Sequence, residues 1–336
     1  MPPGDNHIKG LSVIVCCHNA ALRLPETLRY LATQEVPAHV AWEIILVDNA
    51  STDNTLEKAQ LAWDKCHSGV PFSTTEEHRP GKAFALKTGV AKAAYEYILI
   101  CDDDNWLNAD YITKAINILD ADTTIGAVGG QSSAVADSVL PDWFSEFGYA
   151  YAVGKQNERS ADLKGNRYLW GAGMVFRRSA YHWAYQKHEA LLSGPVSDQL
   201  SRGEDVEFCM RLTLLGYRLR YDERLLFRHY MPIQRLTIAY KEKLFKIHSY
   251  ETLVLDMYIL QIRLAGLPAL RKMMVMLLSI VKYALCYTGV SGRWNKGHEA
   301  KLVYLASGLR LQQVPGEAEV IRAIYLQKNR ERDAYL

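Results

Sequence analysis

The sequence predicts an α/β fold built on a doubly wound, mostly parallel sheet, Rossmann-like in its layering, with a helical C-terminal extension. Three observations carry this. The β-branched runs at residues 11–17 and 43–48 end in polar residues, as buried parallel strands do. Helical patterns follow each run. An apolar strand at 97–101 empties into three adjacent carboxylates, Asp102, Asp103 and Asp104. The resulting β-α-β-α-(β)-α-β order demands right-handed crossovers and helices on both faces of the sheet.

Behind the first strand, Leu24, Leu28 and Leu31 recur on one helical face, and Pro25 suits an early helical position. Ser51 and Asp53 offer N-caps for a helix reaching Cys66. A third helix is expected from Gly81 to Tyr95, feeding the strand at 97–101. Residues 120–170 read as short strands and loops with an aromatic stretch, Trp143 to Tyr151. A strand is expected over 169–178, where Gly171 and Gly173 permit close approach of a ligand or of another backbone. The next helix opens at Gly203-Glu204-Asp205, with acids in its first turn, and ends near Gly216. A strand then runs from Tyr217 through His229 to Tyr230.

In sheets of this kind the ligand sits beyond the carboxyl ends of the strands. His18-Asn19, Asp48-Asn49 and Asp102 to Asp104 gather there, so three strand ends point at one crevice. Three unpaired carboxylates ending a buried strand would repel one another, which fits a divalent cation and its anionic ligand; a solvated acidic turn is the alternative. No Gly-x-Gly-x-x-Gly follows the first strand, which disfavours a dinucleotide. Trp143, beside Asp142, is a candidate platform for a sugar ring.

With 336 residues, 49% of them apolar, the chain can bury one large core or two modest ones. Its net charge of +2 exerts no overall pull toward nucleic acid, and no such partner is expected. The charge is uneven: residues 235–336 carry 16 Lys/Arg against 8 Asp/Glu, leaving residues 1–234 acidic. Six cysteines show no CxxC pair and no Cys/His ligand spacing, which suits a reducing, cytoplasmic setting. The first seven residues carry no signal-peptide pattern.

In order and spacing, Val13 to Asn19, Glu43 to Asp53, Gly81 to Lys87, the Asp102 run and Gly203-Glu204-Asp205 resemble glycosyltransferase family 2, the inverting, nucleotide-sugar-dependent enzymes of the GT-A fold. The resemblance implies a GT-A catalytic domain over residues 1–232, with a nucleotide-binding half at about 10–105 and an acceptor half at about 106–232. A basic, mainly helical region, 233–336, follows. By this resemblance Asp48 meets the base of a UDP-linked donor, with Cys17, Asn19 and Asn49 beside it, and Lys82 lies near the base or phosphates. Asp102 and Asp103 then serve the nucleotide, while Asp104 binds Mn²⁺ or Mg²⁺ with His229 as a further ligand; the register of the acidic run stays open by one residue. Asp205 falls to the catalytic base and Glu204 to orienting that base or the acceptor, a glycan or lipid-linked glycan of polysaccharide assembly in the cell envelope. Trp143 and Gly173 fall on the acceptor side. The chain departs from the family where Cys17-His18 replaces Tyr or Thr-Tyr and Lys87 replaces Asn. A sugar-phosphate nucleotidyltransferase and an inactive glycan-binding scaffold are the two alternatives.

Residues 253–288 are rich in Leu, Met, Ile and Tyr. The stretch Met273 to Tyr287, with Lys282 inside it, is too short and too charged to span a membrane. It can lie in the interface at the inner face of the cytoplasmic membrane, pack on the catalytic domain, or pair with a second copy.

Overall fold

The structure, a computed structural model, describes residues 8–194, 203–245, 249–288, 301, 305 and 316–333. The first seven residues, on which the signal-peptide reading rests, and much of the basic region after residue 288 lie outside these. Strands β1 (Ile8–Cys17), β2 (Trp42–Asp48), β3 (Phe72–Glu76) and β4 (Tyr95–Asp102) alternate with helices α1 (Leu24–Ala32), α2 (Thr55–Cys66) and α3 (Lys82–Lys92). There follow β5 (Asn105–Leu107), α4 (Tyr111–Ala121), β6 (Ile125–Val135), α5 (Phe144–Phe147), β7 (Ala161–Leu163), β8 (Val175–Arg177) and α6 (Arg178–Tyr185). Then come α7 (Glu204–Leu215), β9 (Arg218–Tyr230), α8 (Ile238–Phe245), α9 (Ser249–Ala265), α10 (Ala269–Tyr287) and α11 (Gly316–Asp333).

The strands form one sheet in the order β3-β2-β1-β4-β8-β6-β9-β5, with β7 pairing β9. The first four strands are parallel to one another, as expected. Beyond β4 the sheet is mixed, because β8 runs antiparallel to both its neighbours and β9 is parallel only to β6. Register brings the site together: Cys17 lies opposite Asp48 and Cys16 opposite Asp102, so the polar ends of β1, β2 and β4 finish level.

Alternation along β1 divides the core between the two faces. Leu11, Val13 and Val15 pack with Leu24, Leu28 and Leu31 of α1, whereas Ile14 joins Ala85 and Val90 of α3 and Phe208 of α7. Burial on both faces explains why these strands read as continuous apolar runs.

Three local expectations are corrected. The third helix stops at Lys92, since Ala93 is extended (ψ 130°), and Tyr95 already opens β4. The strand expected over 169–178 shrinks to Val175–Arg177: Gly173 takes a left-handed φ of +72°, where the next strand must turn in, and α6 begins at Arg178. Of the two proposed caps, Asp53 accepts from the Thr55 N–H (3.1 Å), but the Ser51 hydroxyl turns instead to Asp48.

The boundary near residue 232 is one of sequence and not of core. Val254, Met257 and Tyr258 of α9 share the cluster that holds Ile14 and Phe208. Beneath them Arg211 is wholly buried, bound to Glu207, the Tyr258 hydroxyl and three carbonyls. No described helix is long and apolar enough to cross a membrane.

Candidate active site

Each carboxylate of the acidic run meets its own cation, supplied by a different part of the chain. Asp102 accepts from Lys82, the first residue of α3, at 2.5 Å. Asp103 is gripped bidentately by Arg23, at the entrance of α1, with both contacts at 2.8 Å. Asp104 pairs with Arg235 (2.8 Å) and with His229 Nε2 (3.2 Å), and also accepts from Asn105 (3.1 Å). Burial pushes the Asp104 carboxyl up, but Arg235 and His229 outweigh it and hold the group well below the ordinary carboxylate range. Asp103 is pushed the other way, by burial and by the adjacent Asp104 charge, against the pull of Arg23. The solvated acidic turn is therefore excluded, because Asp103 and Asp104 are buried.

Nothing in the sequence spacing points to Arg23 or Arg235. The one signal is arithmetic, in that three buried acids require cations from somewhere.

The second acidic pair sits across Lys82. Asp205 Oδ2 accepts from the Gly171 N–H (2.9 Å) and Oδ1 from the Val206 N–H (2.8 Å). A side chain at Gly171 would press on Asp205, at 3.3 Å from its Cβ, so glycine permits the contact that fixes the carboxylate. Glu204 is pushed up to about 7, first by loss of water around it and then by the Asp205 charge, with Lys82 opposing. Asp205 is raised by loss of water too, yet Gly171 and Lys82 pull it back. Two backbone N–H bonds therefore favour Asp205 as the anion of the pair, so that the proton rests on Glu204 below about pH 7. A cavity of about 280 Å³ opens at this pair, walled by Lys82, Gly171, Glu204 and Asp205 and continuing between α3 and α6 along Phe84, Val90 and Tyr181.

The nucleoside-side residues are only partly as expected. Asp48 ends β2, is buried, and accepts from Ser51. Asn19 adopts φ +48°, and its Oδ1 accepts from the Thr52 N–H (2.8 Å), tying the first two strand ends together. Asn49 spends its amide on the carbonyls of Glu77 and Arg79 and accepts from the Gly81 N–H (2.8 Å), so it positions the start of α3 and hence Lys82. Cys17 turns away from the crevice into the core, where its thiol donates to the Val47 carbonyl (3.5 Å), because alternation along β1 places it with Val15. On the acceptor side, Gly173 lies beneath Tyr111, whose hydroxyl donates to its carbonyl (2.6 Å), and Gly171 lines the cavity in its place. Trp143 packs with Phe144 and Tyr151, and the Lys241 ammonium lies 5.1 Å above its ring.

A divalent cation would find two adjacent protein donors, the Asp104 carboxylate and His229. The His229 Nδ1 is buried and without a partner in the structure. No group of three or more His, Cys, Asp or Glu ligands occurs among the described residues. This donor set fits an ion that takes its remaining ligands from phosphate and water, as Mg²⁺ and Mn²⁺ do, and not a permanently caged one.

The family model for "Glycosyl transferase family 2" matches residues 12–183, more than half of the chain. The chain belongs to glycosyltransferase family 2. Among curated proteins, this family member is similar to the poly-β-1,6-N-acetyl-D-glucosamine synthase of Staphylococcus epidermidis, 27% identical over 225 residues, which covers 65% of this chain and 49% of that protein. The Staphylococcus aureus (strain COL) protein of the same name is 26% identical over 223 residues. The chain thus spans about half the length of the curated relatives it matches. Among solved structures, S. aureus TarS superposes with a TM-score of 0.54 at 16% identity, covering 97% of this chain and 54% of TarS. The TarS 1–349 structure in complex with UDP-GlcNAc gives the same score and covers 92% of that chain. These superpositions establish the GT-A fold of this glycosyltransferase.

Proposed function

We propose that the chain is an inverting, metal-dependent glycosyltransferase that moves a sugar from a UDP-linked donor to a hydroxyl of a glycan or lipid-linked glycan. The observation that carries this reading is the meeting of both acidic groups at Lys82: its ammonium binds Asp102 and borders the cavity that Glu204 and Asp205 wall. Asp205, fixed by two backbone N–H bonds, takes the proton of the acceptor hydroxyl. The freed oxygen attacks the anomeric carbon opposite the departing diphosphate, and one displacement inverts the configuration. Glu204, raised above the ordinary carboxylate range, holds its proton below about pH 7 and orients the acceptor. Lys82, a positive charge that reaches both carboxylate groups, offsets their mutual repulsion. A divalent cation on Asp104 and His229 would offset the charge that builds on the leaving diphosphate. No separate acid is required, since that group departs as an anion.

The names of the curated relatives support a role in assembling a surface polysaccharide, and UDP-GlcNAc is accordingly the first donor to test. Six cysteines, all free thiols, suit action in the cytoplasm. The deciding experiment incubates the protein with UDP-sugars, Mn²⁺ and oligosaccharide acceptors, then identifies the products. Release of UDP with a product of opposite anomeric configuration is expected. Release of pyrophosphate would instead mark a nucleotidyltransferase, and no turnover alongside glycan binding would mark a scaffold.

A further inference from the structure

Helix α10 is apolar on two opposite faces, and among the described residues only one is covered. Val275, Met276, Ile280 and Tyr283 pack against the core cluster shared by α7 and α9, and the Lys272 ammonium lies 5.2 Å over the Tyr325 ring of α11. On the other side Met273, Met274, Leu277, Leu278, Val281 and Leu285 follow the i, i+3, i+4 spacing of one helical stripe, each 41% to 62% exposed. Leu270 extends the stripe by a further turn at 75% exposure. A continuous apolar face of this length is not ordinary surface, where large apolar residues stand singly.

The charges on the helix narrow the occupant. Within Ala269–Tyr287 there are three basic residues, Arg271, Lys272 and Lys282, and no acid. On a helical projection Arg271 and Lys282 fall together at one border of the stripe, both exposed. A second copy docked antiparallel about a twofold axis would bring Arg271 of one chain toward Lys282 of the other, and the helix offers no acid to offset them. A parallel pairing supplies no counter-charge either. An anionic lipid surface satisfies both features at once, taking the apolar stripe among its acyl chains and the basic border at its headgroups. The helix cannot serve as a span, since its opposite face is already packed on protein.

The geometry points to α10 as an in-plane docking helix that seats the protein on an anionic membrane surface through Leu277, Leu278 and Val281, with Arg271 and Lys282 at the headgroups. The inference rests on packing and charge alone, independently of the catalytic reading, so loss of one leaves the other standing. Flotation of the full chain with phosphatidylcholine vesicles, with and without phosphatidylglycerol, tests it. The wild type is expected to float with the anionic vesicles only. The triple variant Leu277→Glu/Leu278→Glu/Val281→Glu should remain unbound with its circular dichroism unchanged. Arg271→Gln/Lys282→Gln should weaken binding at low salt roughly 30-fold, from about 1 kcal/mol per basic residue. That conservative pair keeps the test valid should the triple variant misfold. Equal flotation of wild type and both variants, absence of flotation by the wild type, or a wild-type oligomer that the triple variant dissociates would each overturn the proposal; the last would assign the face to a second copy.

Discussion

Arg235→Gln is expected to tighten Mn²⁺ binding by the nucleotide-free protein. In the structure Arg235 lies 2.8 Å from Asp104 Oδ2, on a carboxylate whose side chain is only 3% exposed. A cation approaching Asp104 must compete with that guanidinium. A charge-assisted hydrogen bond of this kind contributes about 1.5–3 kcal/mol, so its removal should lower the Mn²⁺ dissociation constant ~10- to 100-fold. His229 and Arg23 stay nearby and still favour the ionised Asp104 carboxylate in the variant. Without metal the variant loses part of the same interaction as stability, and its Tm falls; saturating Mn²⁺ should restore it, because the ion binds only the folded state. Titration calorimetry gives the affinity and a thermal melt with and without Mn²⁺ gives the second reading, with Arg235→Lys as a charge-preserving control. An unchanged or weaker Mn²⁺ affinity in Arg235→Gln would refute the competition and place the ion elsewhere.

Asp205→Asn should abolish transfer while leaving UDP binding within about twofold, as a base not in contact with the nucleotide requires; joint loss of binding and turnover, read by calorimetry and product release, would remove Asp205 from that role. Glu204 is raised from 4.5 to about 7, so the folded protein holds a proton that the unfolded chain has shed, and stability falls as pH rises from about 4.5 through 7. Glu204→Gln lacks that proton linkage, and its Tm relative to wild type should climb between pH 5 and pH 8; a flat difference in thermal melts would contradict the assignment. Arg211→Leu leaves Glu207 buried without its cation and should destabilise by about 3–5 kcal/mol in urea titrations. A loss below about 1 kcal/mol would mean that Tyr258 and the backbone suffice to hold Glu207.

Most of the parallel half of the fold is legible because β1, β2 and β4 carry buried apolar runs that end in polar residues, a pattern that needs no tertiary knowledge; the edge strand β3, polar and half exposed, lacks it. The mixed half is not, since β8 has three residues and its neighbour Gly173 turns where Tyr111 and Phe227 leave no room for a side chain. At the site, Asp102, Asp104 and Asp205 are readable from a strand end and a helix start, whereas Lys82 enters only through the family resemblance. Arg23 and Arg235 are not, because their partners lie 80 and 131 residues away and no local spacing encodes such pairs. Cys17 misleads for a simpler cause: a strand end offers a side chain to each face, and one step of alternation sends it into the core.

Strand β9 contains a joint that can absorb changes in chain length. Opposite it on β6 the register passes from Gly129 paired with Tyr221 to Gln131 paired with Leu226, so one intervening residue, Gly130, faces four. A Cβ at Gly130 would collide with the Leu225 carbonyl at 1.9 Å, which is why only glycine closes this kink. Downstream the pairing is unbroken as far as Tyr230, and His229 lies opposite Asn105, next to Asp104. Insertions or deletions between Asp222 and Arg224 can therefore be taken up in the kink, leaving the imidazole beside its carboxylate. Such changes would alter the exposed edge of β9 at Glu223 and Arg224 without moving the Asp104–His229 pair a few residues on.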